Sequence, residues 1–159
     1  MQLYNKKIQT PVGQLTLVAH DQALVAVLWE NDDSTRVKLS ESFEQNEHPL
    51  LKEVEKQLAE YFAGQRTQFY IPLDFQGTAF QKSVWSALLQ IPFGETRSYK
   101  EIAESIGNIK AVRAVGAANG KNPISIIAPC HRVIGANGKL VGFAGGLKNK
   151  DILLNLESK

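Results

Sequence analysis

"SYKEIAESIGNIKAVRAVGAANG", residues 98–120, is the stretch whose reading decides the fold of the second half of this 159-residue chain. Ser98 and Glu101 stand at capping-box spacing before a short amphipathic segment, and Gly107 closes it. Asn108 is then placed to cap a further helix over "IKAVRAVGAANG" after a turn of only a few residues. Two short helices joined this tightly, the second carrying Lys110 and Arg113, have the outline of a helix-turn-helix. Many helical hairpins share the spacing and bind nothing, so composition has to be weighed next.

The second helix is built from small residues. Its candidates for an exposed face are Ala111, Ala114, Gly116, Ala117, Ala118 and Gly120, with Asn119 as the only amide. Such a helix cannot reach base edges across a major groove, but it can press its backbone into a narrower space such as a minor groove. The alternative is a helix packed inside the protein, against which Arg113 argues, because a buried guanidinium needs a partner.

Upstream, Thr78 and Gln81 repeat the capping-box spacing before "FQKSVWSALLQI", a third helix. Before that the pattern changes. "LYNKKIQT", a turn at Pro11–Gly13, "QLTLVAH", a short Asp21–Gln22 connection and "ALVAVLW" alternate as an antiparallel meander. "HPLLKEVEKQLAEYFAG" then places Leu50, Leu51, Val54, Leu58, Tyr61 and Phe62 on one helical face. "FYIPLDFQG" is an extended piece leading to a boundary near residues 74–77, so two modules are expected, 1–76 and 77–159.

Downstream, "NPISIIAPCHRVIGANGKLVGF" predicts an apolar strand, a break at Pro129, and a hairpin with Asn137–Gly138 in its turn. "GGLKNKDILLNLES" predicts a last helix with Leu147, Ile152, Leu153 and Leu156 inward. Cys130, the only cysteine, lies where the strand stops. A buried thiol is also good packing material, and a Cys-His pair by itself does not separate packing from catalysis. Pro129 suits the first position of a helical turn, which would bring free backbone N–H groups near the thiol. Adjacent side chains point apart, so His131 would need a bridging water or a kinked turn to act on Cys130.

Bulk properties set bounds. A single cysteine cannot form an internal disulfide, which suits a reducing compartment and a cytoplasmic location. The N-terminus has no apolar signal-like region and the longest apolar run, Ala23 to Trp29, is too short to span a bilayer, so no membrane association is expected. Residues 1–74 hold 7 basic and 11 acidic side chains, a net −4, whereas 75–159 hold 11 and 5, a net +6. That asymmetry suits a second half that faces a polyanion.

Taken together, "SYKEIA", "KAVRAVGAANGKNP", "NPISIIAPCHRVIG" and "GFAGGLKNKDILLNLE" resemble, in order and spacing, the O6-alkylguanine-DNA alkyltransferase family, also called methylated-DNA-protein-cysteine methyltransferases. The resemblance implies an α/β, ribonuclease H-like N-terminal domain of a small antiparallel sheet plus a helix. A mainly α, winged helix-turn-helix-like domain would follow it. It implies that Cys130 accepts an alkyl group from O6-alkylguanine, and from O4-alkylthymine, once and irreversibly. His131 would be the base acting through a water, Glu157 would orient it, and Asn122 would hold the site together. Tyr99 would donate to the flipped guanine and crowd the phosphate backbone, while Arg113 fills the vacated stack. Ala114, Gly116, Ala117 and Asn119 would face the minor groove, with Lys110, Lys121 and Arg132 on phosphates. Ser125, Val133, Phe143 and Ala144 would line the pocket with Tyr99.

Some relatives hold a structural zinc in the N-terminal domain. With only His20 and His48 there and no cysteine, neither a metal nor a cofactor is expected. No Cys-rich extension precedes the meander, which argues against a transcriptional sensor. The implied partner is double-stranded DNA, bound by a monomer, with cooperative binding left open. Two rivals are a non-catalytic lesion-binding relative, which would lack Cys130, and a cysteine hydrolase using Cys130 and His131.

Overall fold

The computed structural model describes residues 1–138 and 142–158, and the chain divides into two compact units, Met1–Phe75 and Gln76–Lys159. In the first unit, β1 (Leu3–Thr10), β2 (Gly13–Ala19) and β3 (Leu24–Trp29) form the antiparallel meander. A short fourth strand, β4 (Ser42–Glu44), joins the sheet parallel to β1, giving the order β3-β2-β1-β4. The sheet is therefore mixed rather than purely antiparallel. "SFE" sits in a polar stretch, and Phe43 is exposed, so no alternation announces this edge strand.

β3 is buried along nearly its whole length, as a strand covered on both faces must be. α1 (Pro49–Phe62) packs on β1 and β2 through Leu51, Val54, Leu58 and Tyr61. Leu3, Val18, Val25 and Ala26 make a separate buried cluster, closed by half-buried Leu28 and Leu39. The expected inward face of α1 is corrected at its edges. Leu50 and Phe62 are only partly buried, and Gln57 is buried instead, because its amide bonds Tyr70 in both directions: Nε2 donates to Tyr70 O at 3.2 Å and Oε1 accepts from Tyr70 N at 2.9 Å. The extended piece is tied to β3 by Leu24 N to Pro72 O, 2.9 Å, and Asp74 N to Leu24 O, 2.8 Å. His20 and His48 are each engaged by an aspartate, Asp74 at 2.9 Å and Asp21 at 3.1 Å, and His48 also caps α1 through Leu50 N.

The second unit opens with α2 (Ala79–Leu88), whose Thr78/Gln81 capping box is complete in both directions. β5 (Arg97–Ser98) leads directly into α3 (Tyr99–Ser105), where Ser98 and Glu101 close a second complete box. Gly107, at φ +76°, turns the chain after α3. α4 (Val112–Gly120) begins later than expected: Ala111 stands at its N-cap and Asn108 does not cap it. Asn108 instead supplies its carbonyl to Ala111 N at 3.0 Å, closing a turn that occupies residues 108–111. α2, α3 and α4 pack on one another around Val84, Trp85, Leu88, Ile102 and Val115, and Trp85 Nε1 donates to Ala118 O at 2.8 Å. β6 (Val133–Ile134) pairs in parallel with β5, and α5 (Leu147–Glu157) is the last element among the described residues. The return strand of the expected wing falls on residues 139–141, outside the described residues.

Because Ser98 both caps α3 and sets the entry of Tyr99, removing its hydroxyl exposes an orphan N–H at the first turn. Ser98→Ala is expected to lower stability by about 1 kcal/mol in urea denaturation.

Candidate active site

Cys130 is positioned by a folded-back loop. Asn122, fully buried, donates from Nδ2 to Ala128 O at 2.8 Å and accepts from Ile124 N at Oδ1, 3.1 Å. Two further bonds, Ile127 N to Ser125 O and Ala128 N to Ile124 O, both 2.9 Å, complete a pair of overlapping turns. The apolar run "ISIIA" is thus not the expected strand. Satisfying both Ala128 O and Ile124 N from one side chain forces the run to double back. The reversal puts Ile126, buried and β-branched, at φ +74°, a conformation that such residues rarely adopt.

The chain then enters a single 3-10 turn, Cys130–Arg132. Pro129 lies just before that turn rather than at its first position. Cys130 is 3% exposed, its N–H donates to Ala128 O at 2.8 Å, and its carbonyl accepts from Val133 N. The tight turn sends the side chains of His131 and Arg132 inward toward α5.

There they meet one carboxylate. Glu157 Oε2 accepts from His131 Nε2 at 2.7 Å and from Arg132 Nη2 at 3.0 Å, while Oε1 accepts from Arg132 Nε at 2.7 Å. All three side chains are buried. A carboxylate can only accept, so the histidine proton resides on Nε2 and Nδ1 presents a lone pair. Nδ1 has no hydrogen-bond partner in the protein, so it does not take the Cys130 thiol directly. Burial pushes the His131 pKa below its ordinary value; the hydrogen bond and charge of Glu157 oppose this, and the charges of Arg132 and Lys150 add to it. The ring is therefore neutral at neutral pH and able to accept a proton.

Arg132, expected on DNA phosphates, is corrected to this interior role. Its third bond, Nη1 to Ile91 O at 2.7 Å, and the Phe93 ring 5.8 Å away leave its guanidinium enclosed. Gly94, at φ +83°, lets the chain pass the end of α5, since a Cβ there would stand 3.1 Å from Glu157 O. Lys150 was not anticipated. It is fully buried, donates from Nζ to Val133 O at 2.7 Å, and lies 5.8 Å from the Phe143 ring. Its position three residues after Leu147 on α5 was the available signal, masked by its charge.

Tyr99 begins α3 half-exposed, with Gly116 of α4 beside its ring. Burial raises its pKa, a charge on Cys130 raises it further, and a hydrogen bond with Asn119 works in the opposite direction. It stays a phenol, hence a proton donor, and it is within electrostatic reach of the thiol. On α4 and its flanks, Lys110, Arg113, Ala114, Ala117 and Lys121 are exposed and Gly116 half-exposed. Ala118 and Asn119 are corrected from exposed to buried: Ala118 lies over Trp85, and Asn119 Nδ2 points to Cys130 O at 3.5 Å. Among the pocket candidates, Ser125 and Val133 are buried, Phe143 half-buried and Ala144 exposed. Cys130, His131 and Glu157 are thus gathered into one site by the turn and α5, whereas Arg113 stands on the surface of α4.

Comparison with known proteins finds two family models in succession. Residues 3–75 match the 6-O-methylguanine DNA methyltransferase ribonuclease-like domain, and residues 79–159 match the DNA-binding domain of the same family. A methylated-DNA–protein-cysteine methyltransferase of Methanosarcina acetivorans is 48% identical over 98% of each chain. Another, from Mycolicibacterium paratuberculosis, is 49% identical over 97% of this chain and 92% of its own. The crystal structure of Mycobacterium tuberculosis OGT in complex with DNA superposes with a TM-score of 0.91 at 47% identity, covering 98% of this chain and 92% of that one.

Removing Arg132 leaves a buried carboxylate half-compensated. Arg132→Met is expected to cost about 3–5 kcal/mol, read by urea denaturation at neutral pH. The depressed His131 pKa also predicts acid sensitivity. Below pH 6.5 the unfolded chain takes up the histidine proton before the folded one, so stability is lost as pH falls from there toward the folded pKa. The loss reaches at most about 1.4 kcal/mol per pH unit for this one group, and His131→Asn is expected to flatten that part of the profile.

Proposed function

The chain belongs to the 6-O-methylguanine DNA methyltransferase family, and we propose that it repairs DNA by moving the alkyl group of O6-alkylguanine onto its own Cys130. The observation that carries this reading is the buried neutral His131, locked through Nε2 to Glu157 with Nδ1 unengaged, in the residue next to the cysteine. An alkyl group on a guanine oxygen is a poor electrophile. Its displacement calls for a sulfur nucleophile, a base for the thiol proton, and a donor for the departing guanine.

Cys130, His131 and Tyr99 fill these roles. His131 accepts the thiol proton at Nδ1 by way of a water. The Sγ–C bond forms as the C–O6 bond breaks, and the phenol of Tyr99 supplies a proton to the purine, to be replaced from His131. Overall the thiol hydrogen ends on guanine and the alkyl group on sulfur. The product is a thioether that no side chain here can cleave, so each molecule acts once. O4-alkylthymine offers the same C–O bond and is a second substrate.

The target atom is inaccessible in a stacked duplex, and the base has to be rotated out at a cost of a few kcal/mol. Arg113, exposed on α4, fills the gap in the stack, while Ala114, Gly116 and Ala117 allow the helix close approach in the minor groove. Lys110 and Lys121 supply phosphate contacts without base preference. The protein acts as a monomer within the cytoplasm. A cysteine hydrolase would turn over repeatedly, which distinguishes it in one experiment: incubation with duplex DNA containing one O6-methylguanine, followed by mass spectrometry. A gain of one methylene on the Cys130 peptide is expected, absent from Cys130→Ser, which retains duplex binding.

Arg113→Ala is expected to slow repair of duplex DNA by about 100-fold or more, because unstacking is no longer offset. Reaction with the free O6-alkylguanine base, which needs no rotation, stays near normal. Equal loss on both substrates in a single-turnover assay would assign Arg113 to the fold instead.

A further inference from the structure

α2 and α3 each begin with a complete capping box, whereas α4 begins without one. Ala111 at its N-cap makes no side-chain hydrogen bond, and the β-branched Val112 opens the helix. Val112 is 37% exposed, and Ile109, in the turn closed by Ala111 N to Asn108 O, is 54% exposed. Lys110 and Arg113 follow them directly and are exposed too. The other exposed large apolar side chains described in the second unit, Leu89 and Leu147, stand singly at the end of α2 and the start of α5. Single apolar residues on a surface need no explanation. A pair interleaved with cations, at a helix start that breaks the local rules of helix stability, calls for one.

We propose that Ile109 and Val112 form an apolar wedge that enters the minor groove beside Arg113 and opens it around the nucleotide that rotates out. The inference rests on the alkyl-transfer reading and adds to it a pair of positioning residues. The occupant of this surface is the duplex, because Lys110 and Arg113 match the phosphates that border a groove, while the walls between those phosphates are the carbon faces of the sugars. Cation and branched alkyl group alternate along the chain as charge and carbon alternate along the groove. From Ala114 onward the exposed residues of α4 are small, so the helix comes close enough for branched aliphatic side chains to part neighbouring base steps. Arg113 fills a gap once it exists, and the wedge lowers the cost of making it. Apolar contact releases no counterions, so its contribution is independent of salt, unlike that of Lys110.

The test compares single-turnover methyl transfer, at saturating DNA, from a duplex containing O6-methylguanine with transfer from the free O6-methylguanine base, which has no groove to open. The double variant Ile109→Ser, Val112→Ser is expected to lower the ratio of duplex to free-base rates roughly tenfold, less than loss of Arg113, while the salt slope of duplex binding stays at its wild-type value. Lys110→Ala provides the contrast, reducing that slope by about 0.9. Ile109→Leu with Val112→Ile, which keeps branched alkyl groups in place, restores the ratio. If the double serine variant fails to fold, Ile109→Ser alone, in the exposed turn before the helix, carries the same test. A wild-type ratio in the serine variant overturns the proposal, and so does a lowered ratio accompanied by a changed salt slope, which would place the loss in phosphate contacts. A change in the number of copies bound per duplex, with the ratio unmoved, overturns it as well and assigns the pair to contacts between copies. In each of these cases transfer to Cys130 by the wild-type protein still stands. Absence of transfer from both substrates by the wild-type protein would instead remove the reaction and this inference with it.

Discussion

Two buried side chains, His131 and Arg132, share the two oxygens of Glu157's carboxylate, and the active-site end of the second unit is arranged around that sharing. His131 and Arg132 are consecutive in the chain and reach the same acidic group only because a 3-10 turn sends both toward α5. Their joint demand has a chemical consequence. The Glu157 carboxylate draws a proton toward the imidazole, but burial outweighs that pull, the Arg132 charge adds to the effect of burial, and the ring stays neutral. Such a buried pair adds little net stability over apolar packing, so its value lies in geometry and in the protonation state it maintains.

The surrounding shell is shaped by the same cluster. Ile91 supplies a carbonyl to Arg132, Phe93 covers the guanidinium, and Gly94 leaves room for the end of α5. On the other side Asn122 folds the loop ahead of Cys130, accepting a strained backbone at Ile126, and links the end of α4 to the turn that holds the thiol. The end of α4 and the Cys130 turn are therefore separated by one buried amide and a few residues.

Much of this was legible because the signals are local. Both capping boxes, the turn at Gly107 and the meander follow from residue types at fixed spacing. What escaped depends on partners distant in sequence. The strand Ser42–Glu44 exists because β1 has an open edge, not because of its own pattern. Residues 124–128 are as apolar as a strand, and only the doubled bond of Asn122 makes them turn. Arg132 and Lys150 look like surface cations until Glu157, Ile91 O and Val133 O are brought to them. Resemblance supplied Glu157, whose distance of 26 residues from His131 offers no periodic clue.

The interior use of basic side chains also changes what the charge asymmetry means. The second half carries a net +6, but Arg132 is neutralised by Glu157 and Lys150 is enclosed against Val133 and Phe143. Arg97 is paired with Glu95. The cations that remain exposed on and around α4 are Lys110, Arg113 and Lys121. On the function proposed above, these three set the electrostatic share of duplex binding, and each phosphate contact changes the logarithmic salt slope by only about 0.9. On the same reading, a helix surface of small residues offers little base readout to the duplex. Discrimination therefore falls to the base that can leave the stack and to the buried groups that receive it.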